Sequence, residues 1–156
     1  WVVRKIVPTV YVAKVGETEY ESLQDAVTVA GSTGGTVELL SAIEESELDT
    51  PVAVAVGKTV TVDFLGYTIT ASNGAFVNNG TLYLQDSSNF ETKGGATTSS
   101  GDVIVNNGTL DVTCGTYTGN IRLNGGTFTT HFGRFSGTLS EASSRCSGFL
   151  LTFRPA

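Results

Sequence analysis

Methionine is absent from the 156 residues, histidine occurs once, cysteine twice and proline three times. The two cysteines, Cys114 and Cys146, and the lone His131 have no partners at metal-ligand spacing, so a zinc site is excluded. Charged residues are only 15% of the chain and sum to a net charge of -6. A chain with that balance neutralises no phosphates, which excludes nucleic acid and an anionic membrane surface as partners. No apolar run approaches the length of a membrane-spanning helix, and "WVVRKIVPTV" is too short and too β-branched for a signal peptide. No membrane insertion is expected, and no cofactor. With no Met even at position 1, the chain reads as a module processed or excised from a longer protein.

What is present is glycine, at 19 residues, and threonine in nearly every segment. That profile suits an all-β chain with many turns, and a hydrophobic content of 40% is too high for disorder. One phrase recurs: "VNNGTLYL" from Val77, "VNNGTLDV" from Val105 and "LNGGTFTT" from Leu123. Repetition of this kind marks stacked units. Taking Leu110 as reference, the equivalent apolar positions are Val37, Val60, Leu82, Phe128 and Cys146, at intervals of 23, 22, 28, 18 and 18 residues. Each interval is close to one coil of a β-solenoid. The longest contains Ser87 to Asp102, a polar, Gly- and Ser-rich stretch that reads as a loop bulging from a corner.

The last two intervals align column by column. Gly108 falls on Gly126, Leu110 on Phe128, Cys114 on Phe132, Tyr117 on Phe135, Gly119 on Gly137 and Ile121 on Leu139. Within each phrase the alternation has period two, so Leu110 and Val112 face a core while Thr109, Asp111 and Thr113 face out. Such strands stack in parallel about 4.8 Å apart, and the asparagines of "VNNG" form short ladders at a corner. Cys114 and Cys146 then lie on different coils, roughly 10 Å apart, as separate buried thiols. Ahead of the repeats, "SLQDAVTVA" places Leu23, Ala26, Val27 and Ala30 at helical spacing behind an N-cap at Ser22. Two short strands flank Gly16 before it, and the helix serves as a lid on the exposed core.

"VAKVGETEYESLQDAVTVA", "GGTVELL" and "GKTVTVDFLGYTIT" together resemble the opening of right-handed parallel β-helix domains of the pectate-lyase-like type. The likeness is to those in large surface or secreted proteins of Gram-positive, often gut-dwelling, bacteria, and runs from about Tyr11 to Leu139. "DFLGYTI" is similar to a corner phrase common in them, with Leu65 and Tyr67 where Asn and His usually stand. The resemblance implies an all-β, right-handed parallel β-helix (β-solenoid) of about five to six coils with an N-terminal capping helix. The expected organisation is one domain: residues 1–34 for the N-terminal strands and capping helix, 35–143 for the coils, and 144–156 for a last strand or C-terminal cap. Handedness comes from the resemblance alone.

Enzymes on this scaffold use acidic residues on neighbouring coils. The outward column after the reference position reads Glu38, Thr61, Tyr83, Asp111, Thr129 and Ser147. Its two carboxylates are three coils apart, about 14 Å, against the roughly 5 to 9.5 Å of a glycosidase pair. Arg122 and Arg134 read as isolated, and His131 has no acid to orient it. No catalytic or metal site is expected, although the acidic clusters "GETEYE" and "IEESELD" leave a loose calcium site open. The other outward column reads Thr36, Thr59, Thr81, Thr109, Thr127 and Arg145. Its bland explanation is β-propensity and Thr–Thr contact; the sharper ones are a carbohydrate-binding or an ice-binding face. The candidate ligand face is therefore Thr59, Thr81, Tyr83, Thr109, Asp111 and Thr127, with an aromatic platform and a carboxylate acceptor for a sugar. The sequons at Asn79 and Asn107 are read as corner asparagines rather than glycosylation sites.

The resulting expectation is a non-catalytic adhesion or stalk module, extracellular or attached to a cell wall, binding a host protein or glycan. The alternative is the N-terminal part of a polysaccharide-acting β-helix lyase or hydrolase. Phe149, Leu150, Leu151 and Phe153 need cover, either by plugging the last coil or through self-association or next-domain packing at that end.

Overall fold

A computed structural model describes residues 2–89 and 93–141. Residues 2–12 carry no secondary structure. Strands β1 (Ala13–Val15) and β2 (Thr18–Tyr20) then form an antiparallel hairpin around Gly16. Helix α1 (Leu23–Thr33) follows, and its local chemistry is what the sequence predicts. The Ser22 hydroxyl accepts from the Asp25 amide at 3.3 Å, satisfying a donor with no partner inside the helix. Leu23, Ala26, Val27 and Ala30 are the buried face. Gly34, at φ +77, ends the helix in the left-handed conformation that closes its amide on the Ala30 carbonyl.

The rest is strand: β3 (Thr36–Leu39), β4 (Val52–Val54), β5 (Thr59–Asp63), β6 (Thr68–Ala71), β7 (Phe76–Asn78), β8 (Thr81–Gln85), β9 (Gly95–Asn106), β10 (Thr109–Leu123), β11 (Thr127–Ser136) and β12 (Leu139–Glu141). All belong to one curled, mixed sheet. Among the described residues only β1–β2 and β1–β3 pair antiparallel; the other ladders are parallel and fall into three runs. The first is β3, β5, β8, the start of β10 and the start of β11. The second is β6, the start of β9, then the middle of β10 and the end of β11. The third is β4, β7, the end of β9, the end of β10 and β12. The arrangement is compatible with a β-solenoid-like fold.

Alternation decides what goes inside. Val60, Leu82 and Leu110 are aligned by the first run and are at most 1% exposed, each burial contributing about 1.5–3 kcal/mol. Phe64, Tyr117 and Phe135 continue the core as an aromatic series, with Tyr117 edge-on to Phe64 at 6.0 Å and stacked on Phe135 at 5.3 Å. Burial pushes the Tyr117 hydroxyl well above its ordinary pKa, with Cys114 and Asp86 adding to the effect, and the hydroxyl donates to the Cys114 carbonyl at 3.1 Å.

The asparagine phrases form two ladders at the corner leading into the first run. Asn78 and Asn106 are fully buried, and Asn78 Nδ2 donates to Asn106 Oδ1 at 2.7 Å. Asn78 also donates to the Thr109 carbonyl, and Asn106 to that of Thr127. Outside them, Asn107 Nδ2 donates to Asn79 Oδ1 and Asn124 Nδ2 to Asn107 Oδ1. The sequons are thus corner asparagines engaged with one another.

Several sequence expectations are corrected. Val37 pairs with Val62, not Val60, so Thr36 lies against Thr61 and Glu38 against Asp63. The register therefore spans two residues more between these strands than the interval from Val37 to Val60 read from the sequence. The expected loop is only partly found: Gly95–Asn106 is a strand that pairs β6, β7 and β10, while its register against β10 shifts between Thr97 and Asp102, where the exposed Ser99–Gly101 bulge outward. Cys114 does lie opposite Phe132, but it is half-buried and Phe132 is 81% exposed, because both sit where the chain turns between runs. Cys146, Arg145, Ser147 and the apolar residues from Phe149 to Phe153 lie outside the described residues.

At that same turn Asp86 is 4% exposed. Its carboxylate accepts from the amides of Gly66, Ser88 and Gly94. Burial alone would raise its pKa. The Ser88 hydroxyl, which lies beside it without an aligned hydrogen bond of its own, and these amides together outweigh burial and hold it below the ordinary carboxylate value.

Two outcomes are expected. Asn106→Ala strands the buried groups that Asn106 serves and costs about 2–3 kcal/mol in urea unfolding. Because the folded-state pKa of Asp86 is lowered, its contribution is present in full above about pH 5 and is lost as pH falls through the lowered value. Asp86→Asn should therefore cost about 2 kcal/mol at neutral pH and flatten the acid side of a stability–pH curve.

Candidate ligand face

The outward-parity side chains of the first run fall into three columns. The first column is Thr59, Thr81, Thr109 and Thr127, aligned by the β5–β8, β8–β10 and β10–β11 ladders. Thr127 Oγ1 lies 3.3 Å from Thr109 Oγ1, so part of the row is hydrogen-bonded hydroxyl to hydroxyl. The second column is Thr36, Thr61, Tyr83, Asp111 and Thr129. The third begins with Glu38, Asp63 and Gln85. All six residues of the sequence-predicted face share this surface, and Thr36 belongs to the second column rather than the first.

Tyr83 is 41% exposed at the middle of the surface, with Asp111 directly across the ladder and Thr61 on its other side. Parallel pairing sets those neighbours about 4.8 Å apart. The ring can present one edge or face to a ligand while the carboxylate beside it accepts hydroxyl donors.

His131 corrects a reading of the sequence. Its Nε2 lies 3.3 Å from Asp111 Oδ1, with the imidazole half-exposed and the carboxylate about a quarter exposed. The signal was available: Cys114 falls on Phe132, so Thr113 falls on His131, and Asp111 shares the outward parity of both. His131 is a diagonal neighbour of Asp111, within reach of a long side chain. Arg122 is likewise not isolated, since Nη2 lies 2.7 Å from Asp102 Oδ2, but this pair belongs to the third run, away from the candidate face.

The register also brings two carboxylates onto adjacent strands, Glu38 opposite Asp63, where the sequence reading found none. Both are occupied. Glu38 Oε2 is 2.8 Å from Lys14 Nζ. Asp63 is 4% exposed and accepts from the Gln85 amide and the backbone amides of Leu65 and Ser87. It serves the corner as an N–H acceptor, out of reach of a substrate in solution. Among the described residues no group of three or more His, Cys, Asp or Glu side chains could hold a metal ion.

Comparisons with protein-family models, with curated proteins and with solved structures return no match.

The Asp111–His131 pair is partly open to solvent, and pairs of that kind are weak. A double-mutant cycle with Asp111→Asn and His131→Gln, read by urea unfolding, should give a coupling of about 0.5 kcal/mol.

Proposed function

We propose that the three parallel runs are the walls of a right-handed parallel β-helix of five coils, and that the chain is a non-catalytic adhesion or stalk module of a surface or secreted protein, with its first wall presented to a glycan. Support for the coils is the chain order: β5, β6 and β7 visit the first, second and third runs in turn, and β8 followed by the two parts of β9 does the same. β10 then visits all three within one strand, and β11 and β12 repeat the circuit. The pectate-lyase-like resemblance supplies the handedness and the extracellular or wall-attached setting.

The observation that carries the binding reading is Tyr83 beside Asp111, an exposed ring and an acceptor carboxylate next to a column of threonine hydroxyls. A shallow face of this kind takes the flat apolar side of a sugar ring on the aromatic and its hydroxyls on Asp111 and the threonines. The face carries acid, which favours neutral over anionic glycans. The second reading, the N-terminal part of a polysaccharide-acting lyase or hydrolase, is favoured by the opposition of Glu38 and Asp63. Their engagement with Lys14 and with the corner amides weighs against it.

A glycan array, run with and without calcium, tests the binding reading. Binding that a Tyr83→Ala/Asp111→Ala variant loses by at least about tenfold is the expected result, equivalent to about 1.4 kcal/mol. Silence on every glycan, or binding that the variant retains, would sink a sugar site on this face. Shortening of a bound polysaccharide would favour the enzyme.

A further inference from the structure

Ten large hydrophobic side chains are prominently exposed among the described residues, and six of them fall in one stretch: Val2, Val3, Ile6, Val7, Val10 and Tyr11. Val2, Val3 and Ile6 are each at least 88% exposed. The stretch is rich in β-branched residues, which favour strands, yet residues 2–12 pair with no strand until Val12, whose amide bonds the Tyr20 carbonyl. A β-prone apolar segment left in water is a surface that calls for a partner. Its only charges are Arg4 and Lys5, both positive.

The complementary surface lies on the same molecule. β2 is the outermost strand of the sheet, with β1 on one side and no strand on the other among the described residues. Its edge and flanks carry Glu17, Glu19 and Glu21, all exposed, while Lys14 opposite Glu19 is ion-paired instead with Glu38. Three carboxylates on an open edge repel a second copy of the same edge, the usual protection of an unpaired strand. They do not repel a segment carrying Arg4 and Lys5. Charge thus discourages β2 against β2 and favours β2 against the arm.

We propose that residues 2–10 of one copy add as a strand to the open edge of β2 in a second copy, and that the exchange is reciprocal. The result is a two-fold dimer in which each arm crosses to the other protomer, its backbone completing the ladder and its valines and Ile6 leaving water. The occupant is a second copy because the arm and the acidic edge are both exposed on one chain.

Sedimentation velocity of the full chain over a wide concentration range tests this. A monomer–dimer equilibrium is expected. Arg4→Glu/Lys5→Glu should weaken it by about tenfold, as should Glu17→Lys/Glu19→Lys, since two exposed ion pairs contribute on that order. All four changes together should restore association. These positions are solvent-exposed, and unchanged circular dichroism shows that each variant folds. A chain that stays monomeric throughout, or a dimer indifferent to both charge reversals, would overturn the proposal.

Discussion

The structure depends on a close backbone approach at the corner where Gly80, Gly108 and Gly126 lie one above another. A Cβ at Gly108 would come within 2.0 Å of the Gly80 carbonyl oxygen, and one at Gly126 within 2.0 Å of that of Gly108. No Cβ fits at these three positions, so the stacking of β8, β10 and β11 at this corner requires glycine. With the glycines in contact, Thr109 donates its amide to Gly80 and Thr127 to Gly108, which starts each strand in register with the last. Everything downstream inherits that register: the buried leucines, the threonine column, and the meeting of Tyr83 with Asp111. A shift of one residue would turn every one of these side chains to the opposite face.

The N-terminal side is closed by different means. β1 covers the edge of β3 with antiparallel hydrogen bonds. Helix α1 has no backbone to offer β4, so Gln24 does the pairing: its Nε2 donates to the Ala53 carbonyl at 3.1 Å and its Oε1 accepts the Ala53 amide at 2.7 Å. A side-chain amide has the same donor and acceptor as a peptide group, and here it stands in for one more strand. Nothing in the helical spacing of Leu23, Ala26, Val27 and Ala30 pointed to that role, because Gln24 lies on the polar side of the pattern.

Repetition made the later part of the chain legible and its absence obscured the earlier part. Two consecutive intervals of 18 residues carry matching glycines, so the pairings of Leu110 with Phe128 and Tyr117 with Phe135 could be read directly. The helix was equally plain from its cap and spacing. Between Val37 and Val60 no such columns exist, and the alignment rested on a "GT" and a "KT" that do not lie opposite each other. That error hid the opposition of Glu38 and Asp63. Gly95–Asn106 is hard to read for another reason: small polar residues look like a loop, but on a strand whose neighbours supply the hydrogen bonds they are tolerated by context. The partner of His131 is hidden in columns read straight across, because it meets Asp111 on the diagonal.

The two asparagine ladders run in opposite senses. The buried pair passes its N–H groups forward, from Asn78 to Asn106 and on to the Thr127 carbonyl, while the outer row passes them backward, from Asn124 to Asn107 to Asn79. Each row taken alone is a line of aligned amide dipoles, which would polarise its members and accumulate charge at its ends as a helix does. Side by side and opposed, they largely cancel. The corner gains the mutual reinforcement of both rows without building a field along the stack, so its electrostatic cost does not grow with the number of rungs.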